Sequence, residues 1–202
     1  MSPRPPRLPP PAQLETICKG LAALDASLCD DWECRCYSFD AKWDAAGRER
    51  MASMRSGSGD EWFLLFAGEL AFLKMFWHER PRQDPSAVYA GLPAALAPQL
   101  SEPAFSMEEV TVGGWYDGVS WTLRGDTDPV SHELAMLTGS AELYCNHARE
   151  YLELEVPEDA VAHVLAGKPL DEALLGKLGS TRTLTELAGD LEELGYGAPA
   201  SE

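Results

Sequence analysis

The chain has no apolar run near the roughly 18 residues that a helical membrane span needs. Its five cysteines (Cys18, Cys29, Cys34, Cys36, Cys145) follow no disulfide-framework spacing. Bases are scarce: Lys plus Arg number 16 against 33 for Asp plus Glu, a formal net charge of -17. Each shortage excludes something. Without a long apolar run, no membrane is expected as a partner. An odd set of unpatterned cysteines fits a reducing compartment. The opening MSPRPPRLPPP has basic residues but not the apolar stretch of a secretory signal. The expected location is therefore cytoplasmic. An acidic field repels phosphate backbones and anionic lipid, so nucleic acid is not an expected ligand. It favours a basic partner and steered encounters with it, although solubility alone accounts for the charge about as well.

Catalytic motifs are missing too. Gly57-Ser58-Gly59 lacks the longer glycine pattern, the lysine and the following helix of a phosphate loop. Ser58 lacks the glycines two residues before and two after it that mark a nucleophile elbow. Cys34 and Cys36 have no second pair to complete a zinc site, so no metal and no cofactor is expected. The pair reads as small hydrophobes on a strand's core face. Cys145 and His147, two apart on a helix, point about 200° away from each other. His132, His147 and His163 fall on three successive predicted helices and read most simply as unrelated boundary residues.

What is present is a core. The chain has 202 residues, of which 45% are hydrophobic and 24% charged, the composition of a folded domain. Residues 1–11 are proline-rich and expected to be a disordered tail, with 197–202 a second one and 12–196 a single domain. Leu14, Ile17, Leu21, Leu24 and Leu28 recur at helical steps and predict a helix over 12–29. Strands are expected at 32–39, about 51–55, 61–67 and 70–78, with a hairpin over 109–116 and 119–124 turning at Asp117-Gly118. Five prolines between 80 and 105 forbid a long helix there. From 131 onward the signals are helical, best signed where Thr183 and Glu186 form a capping box and Gly195 ends the helix. The expected fold is α+β: a mostly antiparallel sheet of about five to six strands, an N-terminal helix and a C-terminal group of short helices.

The most informative stretch runs from Met51 to Glu79. It holds the unusual polar residues Arg55, Asp60, Lys74 and His78, with Glu79 beside them. A lysine on the face shared by Leu70, Phe72, Phe76 and His78 needs a carboxylate such as Asp60, Glu61 or Glu79, or a snorkelling route to water. One reading is a structural ion pair closing the sheet. The other is a binding or acid–base cluster at its end, in which Arg55 holds an anionic group and His78 acts with Asp60 or Glu79. Of the six tryptophans, Trp43 in a polar link is the one expected to be exposed, where it would mark an interface.

The segments MASMRSGSGDE (51–61), KMFWHE (74–79) and SEPAFSM (101–107) resemble a group of uncharacterised bacterial proteins sharing a MASMRxGSGDE-like motif. The likeness spans roughly 14–196 and departs at Met75 or Phe76, where that group tends to carry glycine. It implies the order of helix, strands and acidic C-terminal helices, and no activity. Small acidic cytosolic proteins of this style are often immunity or regulatory partners. The leading expectation is thus a non-enzymatic, acidic binding partner of a basic protein. The alternative is a small-molecule-binding protein or enzyme using the sheet-end cluster. The oligomeric state is left open.

Overall fold

Short apolar runs separated by tight turns pair with their sequence neighbours, and here they do so along the whole sheet. The computed structural model describes residues 7–197. Its strands β1 (Tyr37–Asp40), β2 (Glu49–Arg55), β3 (Glu61–Ala67), β4 (Leu70–Phe76), β5 (Val112–Tyr116) and β6 (Trp121–Gly125) form one antiparallel meander in chain order. Helix α1 (Pro11–Leu28) precedes the sheet. Helices α3 (Ser131–Met136), α4 (Ala141–Tyr151), α5 (Glu158–Leu165), α6 (Glu172–Leu178) and α7 (Leu184–Leu194) follow it, and the single turn α2 (Pro85–Val88) lies between β4 and β5. The fold is α+β, as the pattern of elements predicts.

Both faces of the sheet are covered, which is why β3 and β4 read as unbroken apolar runs. Trp62, Leu64 and Phe66 face a core shared with α1, α4 and α5. Phe63 and Leu65, with the opposite parity, face Val88, Tyr89, Leu96 and Phe105. This second cover is the proline-rich segment, which forms only α2 and the 3-10 turns Ala94–Ser101 and Pro103–Phe105. Gly113 lets it approach: a Cβ there would lie 2.4 Å from Val88 Cγ1 and 2.6 Å from Tyr89 Cζ. Tyr89 thereby lies on the sheet and donates its hydroxyl to the Leu73 carbonyl at 3.0 Å.

Helix ends follow local chemistry. The side chains of Ser140, Asp171 and Thr183 accept hydrogen bonds from the amides of Leu143, Leu174 and Glu186, and the Thr183–Glu186 capping box is complete.

Three expectations are corrected. The strand expected at 32–39 is cut short: Trp32–Cys34 is a 3-10 turn capped by Asp31, and the strand begins at Tyr37. Asp31 competes for the local backbone by accepting from the Glu33 amide at 3.0 Å. Cys34 is therefore exposed while Cys36 is buried, and they share no core face. The strand expected over 70–78 ends at Phe76, so His78 does not continue the face of Lys74. The tail expected over 1–11 is ordered where it is described: Leu8 is buried in the core, and the Pro9 carbonyl accepts from the Trp121 indole at 2.7 Å. Trp121 and Leu123 belong to the margin of that core, and the tail covers it. The rest of the two expected tails, 1–6 and 198–202, lies outside the described residues.

The β2–β3 turn places Gly57 at φ 73° and Gly59 at φ 108°, backbone that a side chain adopts only with strain. Gly57→Val or Gly59→Val is expected to lower stability by about 1–2 kcal/mol, with Ser58→Ala nearly silent. Urea unfolding measures this. Unchanged midpoints in both glycine variants would show that the turn does not set the register of β2 and β3.

Candidate functional site

The sheet-end residues do not converge on one site. Lys74 is fully buried, its ammonium 5.4 Å from the ring centres of Phe63 and Phe76 and 2.7 Å from Glu61 Oε1. In the register Lys74 lies opposite Phe63 and Glu61 opposite Phe76, so the ion pair is a diagonal one on a single face. Burial pulls the Lys74 pKa down, and the Glu61 carboxylate holds it up. Asp60 is engaged elsewhere. Its Oδ1 accepts from the His78 backbone at 3.0 Å and lies 2.8 Å from His78 Nδ1. Arg55 stacks over Phe63 at 5.5 Å and has no carboxylate partner among the described residues. Glu79 is exposed beyond the strand end, likewise without an ion pair among the described residues.

Trp43 is not the exposed tryptophan. It is half-buried, stacked on Phe105 at 6.2 Å, and closes the second-face core. The Asp44 carboxylate accepts from the Arg48 and Glu49 amides, which folds this polar link back onto the sheet. Trp32 is the open one, at 57% exposure.

A buried acid network was not anticipated. Asp25 is wholly buried on α1. Its Oδ2 accepts from the amides of Cys36 and Tyr37, and its Oδ1 from the Tyr144 hydroxyl, each at 2.8 Å. Glu133 Oε2 accepts from the Trp62 indole at 3.2 Å and the Tyr37 hydroxyl at 3.3 Å. Burial raises both carboxyl pKa values, that of Asp25 to about 6, against the donors that lower them. Next to them the His147 ring lies 5.3 Å from Tyr37, 5.6 Å from Tyr144 and 5.3 Å from Tyr151, and its buried Nε2 has no hydrogen-bond partner among the described residues. Burial and nearby His132 pull its pKa to about 4, so it is neutral at pH 7. His163 sits apart, with Nε2 3.0 Å from the Pro169 carbonyl. One signal for this network was legible: Asp25 falls between Leu21 and Leu28 in the apolar stripe of α1, and a carboxylate there must find donors.

An open groove of about 250 Å³ lies where the second cover stops short of β1. Trp32 and Tyr151, the latter 43% exposed, line it together with Arg55. Ser38 and Ser53 form its floor and share a hydrogen bond at 2.7 Å. Arg35 stacks on Trp32 at 5.7 Å but is engaged by Asp190 at 2.7 Å. The chain matches no protein-family model, no curated protein and no solved structure. Its function is therefore read from this geometry alone.

Proposed function

We propose that this chain is an acidic, non-catalytic binding protein of the cytosol that docks a basic protein, as an immunity or regulatory partner does. The observation that carries the reading is the unpaired acid on the C-terminal helices. Residues 140–202 contain 13 acids and 4 bases. Three of those bases are engaged: Arg149 by Glu155, Lys177 by Asp159 and Arg182 by Asp190. Glu150, Glu153 and Glu158 are exposed and form no ion pair among the described residues. Glu153 has φ 57° just past the end of α4, a position where glycine is usual, so an acid is held there at some backbone cost. Five free cysteines support a reducing compartment. No described helix is long and apolar enough to cross a membrane. The alternative, chemistry at the sheet end, has less support, because Lys74 is sealed against Glu61 and Arg55 lines a groove that Asp60 and His78 do not.

The test is retention of a basic protein from lysate of the source cell on immobilised chain, at about 50 mM and about 500 mM salt. Retention at low salt, loss at high salt, and loss in the triple variant Glu150→Gln/Glu153→Gln/Glu158→Gln are expected. If no basic protein is held at low salt, the reading loses its foundation.

A further inference from the structure

We propose that the groove beside β1 binds a small, flat carboxylate, a second site independent of the acidic helices. In a chain of net charge -17, this groove presents donors. Arg55 has no carboxylate partner among the described residues, and its stacking on Phe63 holds the guanidinium in place. Ser38 and Ser53 have two hydroxyl protons, and their mutual hydrogen bond uses one. The other is free to donate into the groove. Ser53 is 4% exposed, so its hydroxyl is a built part of the floor.

The body of the ligand follows from the walls. Arg35 occupies one face of Trp32, yet more than half of that residue's surface is open. Tyr151 closes the opposite side, with His147 stacked behind it. A flat apolar group against Trp32 with a carboxylate on Arg55 fits the walls and a volume of about 250 Å³. Charge selects the carboxylate over a phosphate dianion. Glu33 also lines the groove, and the whole chain opposes a second negative charge.

Benzoate is the probe, titrated calorimetrically into the full chain, with inorganic phosphate as the competing anion. Saturable binding at one site is expected, with Kd on the order of 1 mM, the range a ligand of this size reaches. Arg55→Gln is expected to weaken it about tenfold or more, and Arg55→Lys to restore part of the loss. Trp32→Ala is expected to weaken benzoate as well. Arg55 and Trp32 are exposed, so these variants keep the fold, which circular dichroism verifies. Absence of saturable benzoate binding at about 10 mM, well above that Kd, would overturn the proposal. So would equal binding by wild type and Arg55→Gln, or displacement by phosphate at equal concentration.

Discussion

Asp25→Ala is expected to lower stability by about 3–5 kcal/mol, because it strands three buried donors at once. The amides of Cys36 and Tyr37 and the Tyr144 hydroxyl lose the acceptor that Asp25 supplies, in a site closed to solvent. Asp25→Asn is expected to cost far less. Its carbonyl oxygen can take both amides, and its NH₂ can donate to Tyr144, whose hydroxyl then accepts. The two variants separate a need for acceptors from a need for charge. Equal losses in both, by urea unfolding at pH 7, would show that the charge itself is required.

The same network sets a pH dependence. Asp25 has a folded pKa of about 6 against an ordinary 3.8, so the native state keeps a proton that the unfolded chain has released. Stability from this group falls as pH rises from about 4 to 6, by about 3 kcal/mol. For His147 the folded value is about 4 against 6.5, so the unfolded chain takes up a proton that the native state refuses. Stability from that group falls as pH drops from 6.5 to 4, again by about 3 kcal/mol. The raised pKa of Glu133 adds to the Asp25 side. The two contributions therefore oppose each other between about pH 4 and 6. Relative to the wild type, stability should climb more steeply with pH across that window in Asp25→Asn and less steeply in His147→Gln. Chemical denaturation at half-unit pH steps reads this directly. Parallel profiles in all three proteins would refute the assignment.

Glu61→Ala is the second large effect, expected to cost about 3–5 kcal/mol. It removes the one carboxylate hydrogen-bonded to the Lys74 ammonium among the described residues, leaving that cation buried between Phe63 and Phe76. Lys74→Met should be mild, since the stem is replaced by an apolar chain and Glu61 retains contact with water. The double variant Glu61→Ala/Lys74→Met should recover most of the loss, which thermal unfolding would show. If Lys74→Met is as damaging as Glu61→Ala, the pair is not a buried cation with a half-wet partner.

These contrasts show what a sequence can and cannot reveal. The α7 capping box and the unbroken apolar run of β3 were legible, because each is decided within a few residues. Lys74 was legible as a residue needing a carboxylate, and Glu61 was among the candidates. The exchange of roles between Trp43 and Trp32 was not legible, since it depends on where the proline-rich cover ends over the sheet. Nor was the Asp25 site, whose donors lie 11, 12 and 119 residues away. The groove was missed for the same reason: Tyr151 reaches Cys36 and the β2–β3 turn only after α4 has packed. Composition named acidity, and only the fold separates paired acids from free ones.

The meander also dictates an order of assembly. Every strand joins its immediate predecessor in the chain, so the sheet can zip hairpin by hairpin with short loop closures. Helix α1 cannot finish with it. Its residue Asp25 waits for Tyr144, and Arg35 just after it waits for Asp190. During synthesis the segment up to β6 is therefore expected to emerge with a formed sheet and one apolar face still bare until the last helices arrive. A chain stopped before α7 leaves Arg35 and Arg182 without their common carboxylate and part of that face open. Such fragments are expected to associate through it, and full-length chains to fold in two kinetic phases, the slower one tracked by Tyr144 burial.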